Sequence, residues 1–471
     1  MEPHEYAQHD AVGLRGLIVK GEVTAAEAED AARRALERVE PRLNGLAGPP
    51  FPQALAHDGG GALGGVPFLI KDIGPVAEGV PFHVGSRAIE GVVAPCDTDL
   101  MRRFRAAGLA ALGVTAMPEM GISFATESAR YGVTRNPWDL GLGPGGSSGG
   151  AAALVAAGAV PVAHGGDGAG SLRVPASACG LVGLKPSRGR VPYGPGAGEH
   201  GFGMVCEFAL TRSVRDTAHL LDLVQGPGVG DKYTAPPPLR PYATEVSADP
   251  GTLRIAVTTR AWSGVPVDPE VAAVTGRVAR LLEEMGHRVA EASPEVSGEA
   301  IVEAARVQLV DVAAPFLLFG PPETPSRLEA VSRKVVEEVR GRSALDLVVG
   351  FGVQNGLSRA VGAFFTGHDL LVTPTLALPP RPHGTFRYDD PQQTVRGWLE
   401  GIFAFGPFTM LFNATGQPAM SLPLGQTATG LPVGVQLVAP YGREDTLFRV
   451  AARLEEALPW AHRVPPVHAA A

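Results

Sequence analysis

The chain has 471 residues, 45% of them hydrophobic and 19% charged, with a net charge of −8 and a pI near 5.9. That length and apolar content can bury a large core, and the acidic balance with no long Lys/Arg run excludes the electrostatic footprint of a nucleic-acid binder. No stretch reaches the ~18 consecutive apolar residues of a membrane span, and the opening MEPHEYAQHD lacks the apolar segment of a secretory signal.

In chain order, residues 8–40 predict helix. Leu14, Leu17 and Ile18 share a face, Gly21 interrupts, and Thr24 with Glu27 forms a capping box before AAEAEDAARRALERVE, which Pro41 is expected to end. After a glycine-rich turn at 59–65, VPFLIKD (66–72) reads as a buried strand. It delivers Lys71 at its C-terminal end, where α/β sheets place their chemistry. A lone lysine there is otherwise a solvated charge, so its role depends on context. TDLMRRFRAAGLAAL (98–112) has helical spacing, GVTAMPEM reads as a short strand and turn, and RNPWD (135–139) as a turn. This strand–helix–strand rhythm is that of an α/β sheet.

The stretch from Gly143 to Pro175 holds two serine-bearing glycine clusters, Gly145–Gly150 and Gly165–Ser171, separated by small apolar residues. GPGGSSGG predicts the start of a buried helix whose backbone N–H groups face a site, and the strand-like VPVAH leads into GGDGAGSLRVPA. Glycine-rich loops before helices also bind phosphate, but no Gly-Lys-Ser/Thr follows either cluster and no GxGxxG follows the strand-like VPVAH. Around Ser171 the sequence reads GAGSLR, which is not the GxSxG elbow. His164, the nearest of 12 histidines, reads as a loop or strand-end residue, so a Ser–Lys scheme is the one to test.

Beyond the clusters, LTRSVRDTAHLLDLVQG predicts a helix ended by Gly226 and Pro227, and 227–250 is a Pro-rich connection. LRIAV reads as a strand, PEVAAVTGRVARLLEEMGHRV as helix then strand, and 297–345 as helical, a segment whose mobility as a lid stays open. Phe316, Phe319, Phe364, Phe365 and Trp398 are candidate pocket aromatics, although each taken singly reads first as core. DLLVTPTLALPP (369–380) reads as a buried strand entering a loop. Strands are also expected within 413–423 and 431–440, and a terminal helix over 444–458. The three cysteines, Cys96, Cys179 and Cys206, cannot all pair and show no CxxC spacing, which argues against a disulfide frame or a zinc site. Cys206 reads as a buried structural thiol, and the protein as cytoplasmic with no metal.

GGSSGG, then GGDGAGSLRVPASACGLVGLKPSRGRVP, with VPFLIKD upstream, resembles the amidase signature family; NATGQPAMSLP and GLPVGVQLVAP extend the likeness over most of the chain. The resemblance implies one large α/β domain over 1–471 with a mixed central β-sheet flanked by helices. Its parts would be a helical arm (1–60), a signature core (61–226), a variable substrate-covering region (227–360) and a sheet-completing C-terminal part with the terminal helix (361–471). It further implies an amide hydrolase without cofactor, with Ser171 as acyl-forming nucleophile, Ser147 as bridging serine after a cis peptide at Gly146, and Lys71 as base. The N–H groups of Gly168, Ala169, Gly170 and Ser171 would form an oxyanion hole, Ser148 would support the triad, and Arg173 would hydrogen-bond beneath it. The loop departs from the commoner TGGS wording by Ala169, and carries His164 and Gly166 where a GTD-like sequence is usual.

The chemistry is consistent with that set. An amide needs an activated hydroxyl, a held oxyanion and a protonated leaving nitrogen. A free lysine is neutral in only about one molecule in 2500 at pH 7, so Lys71 must be desolvated to act as base, and the apolar VPFLI run can supply that. The loop wording is similar to the group that hydrolyses 6-aminohexanoate cyclic dimer, and other small linear or cyclic amides are equally open as substrate. The amidase subunit of a tRNA-dependent amidotransferase and a non-catalytic glycine-loop binding module are the competing readings. The expected partner is a small-molecule amide, with no nucleic acid and no membrane; a homodimer is left open.

Overall fold

In the computed structural model, which describes residues 1–320 and 324–471, the strands in chain order are β1 (Val66–Lys71), β2 (Leu109–Thr115), β3 (Glu127–Ser128), β4 (Gly132–Val133), β5 (Val162–Asp167), β6 (Val182–Lys185), β7 (Cys206–Thr211), β8 (Arg254–Val257), β9 (Arg288–Glu291), β10 (Leu370–Pro374), β11 (Ala419–Gln426) and β12 (Pro432–Val438). β3 and β4 pair only with each other; the rest form one ten-stranded sheet in the order β2-β1-β5-β7-β6-β11-β12-β10-β8-β9. Both ends of the sheet are parallel and the middle is antiparallel. Of the four parallel pairings, the two between consecutive strands each have a single helical crossover, as parallel strands require: Asp99–Ala107 joins β1 to β2, and Pro269–Glu284 joins β8 to β9. The mixed sheet flanked by helices that the motifs implied is therefore present.

The N-terminal helix begins as its capping box dictates, with the Thr24 side chain accepting from Glu27 N–H, but it runs Ala25–Leu43 with Pro41 inside its last turn. Proline here does not end the helix, because buried Leu43 anchors one further half-turn and Asn44, in the left-handed region at φ 53°, closes it. The helix expected over 98–112 is also shorter. Thr98 caps it, Gly108 at φ 93° ends it after Ala107, and the apolar residues from Leu109 onward enter β2. Helical and strand periodicity cannot be separated in so short an apolar run.

Two apolar clusters result. One packs the N-terminal and terminal helices against the sheet, with Ala28, Leu36, Phe68, Leu154 and Phe448 among its buried members. The other gathers helices Gly298–Leu318, Ala330–Arg340 and Val395–Phe405 over the opposite side, with Val307, Val335, Trp398 and Phe412. β1, the helix Gly149–Ala156 and β5 pack together within the first cluster. No helix among the described residues is long and apolar enough to cross a membrane.

Candidate active site

Lys71 lies at the end of a strand buried at every position, and its residue is only 1% exposed. Its Nζ lies 2.7 Å from Ser147 Oγ and 2.9 Å from Ser148 Oγ, donating to both. Both serines stand at the start of Gly149–Ala156, a helix with all eight residues buried, which small side chains alone permit. Ser148 is the N-cap residue of this helix, yet its hydroxyl makes no capping bond; it takes the lysine and donates to Gly166 O at 3.2 Å. The Gly146–Ser147 peptide is cis. Burial lowers the Lys71 pKa to about 7, against the opposing pull of the Glu207, Asp167 and Asp72 carboxylates.

Ser171 is 4% exposed and closes the loop after β5, and its carbonyl accepts from Ser148 N–H at 3.3 Å. Among the described residues, the backbone of 168–171 is held through its carbonyls. Gly168 O accepts from Gln308 Nε2 at 2.7 Å, Ala169 O from Thr409 Oγ1 at 2.6 Å, and Gly170 O from Val174 N–H at 2.7 Å. None of the N–H groups of 168–171 donates to an acceptor among the described residues. Glycine is required twice. Gly170 has φ +138° and a Cβ there would lie 2.5 Å from Thr409 Oγ1; a Cβ on Gly165 would lie 2.9 Å from Ser148 Oγ.

Beneath the loop, Arg173 and Asp167 form a fully buried pair at 2.8 Å. Arg173 also donates to Thr409 O, Gln436 Oε1 and Asn413 Oδ1, and Asn413 Nδ2 donates to Asp167. Burial pushes the Asp167 carboxyl up, but the Arg173 charge and hydrogen bonds win and hold it at about 2. Arg173→Ala leaves Asp167 buried without its partner and is expected to cost about 3–5 kcal/mol, visible as a large drop in melting temperature. A drop under a degree would show that the pair is dispensable.

His164 lies inside β5, not at a loop or strand end, and its ring is fully buried. The parallel pairing of β1 and β5 ends early, and the Lys71 backbone N–H reaches His164 Nδ1 at 3.3 Å. Cys206 is buried. Of the candidate pocket aromatics, Trp398 is core and donates to Ile122 O, whereas Phe319 is 83% exposed. The site thus gathers Lys71, Ser147, Ser148 and the 168–171 loop. Glu207, Gln308, Thr409 and Asn413 join it unanticipated, each from an element far away in sequence.

The Amidase family model matches residues 51–448. The chain belongs to this family, the amidase signature enzymes, and is a hydrolase of amide bonds. It is similar, at 39% identity over 97% of its length and 96% of the relative's, to the 6-aminohexanoate-cyclic-dimer hydrolase of Paenarthrobacter ureafaciens. The putative amidase AmiC of Mycobacterium tuberculosis is 39% identical over 96% of this chain and 95% of its own. A solved structure of 6-aminohexanoate cyclic dimer hydrolase complexed with substrate superposes with a TM-score of 0.92 at 37% identity, covering 98% of this chain and 99% of that one.

Proposed function

We propose that the enzyme opens small amides through an acyl-enzyme on Ser171, with 6-aminohexanoate cyclic dimer as the leading substrate. The observation that carries this is the buried Lys71 amine, with a pKa near 7, donating to both Ser147 and Ser148. In this reading neutral Lys71 takes the proton of Ser147 as Ser147 takes that of Ser171, and Ser171 Oγ attacks the amide carbon. The N–H groups of 168–171, turned out because the carbonyls are anchored, receive the oxyanion; one such donor contributes ~3–4 kcal/mol. The proton on Lys71 returns through Ser147 to the departing nitrogen, the acyl-enzyme remains on Ser171, and water releases it by the same path.

Gln308, on a helix of the region 227–360, reaches the carbonyl of Gly168. That contact supports a substrate-selecting role for this region, of which residues 321–323 lie outside the described ones. The three free cysteines support a reducing, cytoplasmic setting. A panel of linear, aryl and cyclic amides scored by kcat/KM tests the substrate; the cyclic dimer should rank first, and an aryl amide tenfold ahead of it would overturn the choice.

The pH dependence follows from the same lysine. Lys71 must be neutral to accept a proton, so kcat/KM should fall on the acid side with a midpoint near pH 7. At two pH units below it about 1% of the base is available. A profile flat from pH 8 to pH 5 would rule out Lys71 as the base.

A further inference from the structure

The usual scheme for the site does not employ His164 or Glu207, yet both are buried in it. β5 and β7 pair antiparallel with His164 opposite Ala209 and Gly166 opposite Glu207, so His164 and Glu207 are diagonal neighbours on one face. His164 Nε2 lies 2.9 Å from Glu207 Oε2, while Nδ1 accepts the Lys71 backbone N–H. The two bonds together fix the tautomer: Nδ1 is the acceptor, so Nε2 carries the proton and donates to the carboxylate. Phe104 packs edge-on against the ring at 5.7 Å. The Glu207 side chain is 13% exposed, and its other oxygen lies 4.0 Å from Nε2 of the more exposed His200.

We propose that His164 and Glu207 are a positioning pair for the base: the imidazole pins the Lys71 backbone where β1 parts from β5, and holds the Glu207 carboxylate as the counter-charge to the ammonium formed during turnover. This inference rests on Lys71 being that base. Several charged groups surround the pair. Asp72 adjoins Lys71 in sequence, Asp167 lies on β5 but is committed to Arg173, and Lys185 lies near Asp167. Glu207 is the largest carboxylate influence on Lys71, ahead of Asp167 and Asp72. Burial pushes Glu207 itself up, but the His164 hydrogen bond and the nearby Lys71 amine leave it lowered, so it stays an anion. Removing its charge while keeping its shape should therefore make the ammonium harder to form.

The test is the rate of Ser171 labelling by a fluorophosphonate probe across pH 5–9, which needs no substrate assignment. Glu207→Gln should move the acid limb down by ~0.5–1 pH unit, and Glu207→Asp, which keeps the charge, should leave it in place. His164→Gln keeps Glu207 charged but loosens its hold on the Lys71 backbone. It should lower the plateau rate about tenfold, with the melting temperature unchanged, and so tests the pair even if Glu207→Gln does not fold. A wild-type limb near pH 7 with Glu207→Gln superimposed on it overturns the inference and leaves Lys71 as base. A wild type with no limb overturns the base itself. A His164→Gln plateau equal to wild type overturns the positioning role.

Discussion

Ser171→Ala lowers kcat by about 10⁶ and abolishes fluorophosphonate labelling, while the protein folds normally. The size follows from the role. Without Oγ no acyl-enzyme forms, and what remains is substrate binding and the donors of the 168–171 loop, whose anchors at Gln308, Thr409 and Val174 do not involve the Ser171 side chain. The assays are a steady-state amide hydrolysis and a gel-based labelling experiment. Turnover above about 1% of wild type, or labelling that persists on another residue, would assign the nucleophile elsewhere.

Lys71→Met and Ser147→Ala each cost ~10³–10⁴ in kcat/KM, and the double variant costs no more than the worse single one. In the proposed relay the lysine acts on Ser171 only through the hydroxyl it touches at 2.7 Å, so once either link is missing the other has nothing to pass on. Independent contributions would multiply to ~10⁶ or more, and that result would dismantle the relay. Methionine is the useful replacement because it fills much of the space in an apolar strand. Retention of most activity in Ser147→Ala would instead favour Ser148, at 2.9 Å from the same amine, as the route.

The contrast between what local pattern carries and what it cannot is clear at particular residues. Thr24 with Glu27 and the buried helix after GPGGSSGG are readable because capping and glycine chemistry act within a few residues. The motif order placed Lys71 with Ser147, and the structure brings those two together as expected. Glu207, Gln308 and Thr409 were not legible, since each reaches the site through sheet pairing or helix packing from an element whose own sequence looks like any other. His164 was misread for a related reason: its neighbours Gly165 and Gly166 suggest a loop, but pairing with β7 extends β5 through them. The end of the helix at Leu43 rather than at Pro41 shows tertiary burial overriding a local breaker.

The low affinity of Lys71 for its proton has a thermodynamic counterpart. In the unfolded chain this amine titrates near its ordinary value of 10.5, and in the folded protein at about 7. Between those limits the unfolded state binds the additional proton, so folding releases one, and stability contributed through this group rises with pH across that window. Below pH 7 the full penalty applies, on the order of 5 kcal/mol before any relaxation of the site. The fold therefore carries a standing debt of conformational stability at the residue proposed as its base, and Lys71→Met should melt higher at pH 6 than the wild type does.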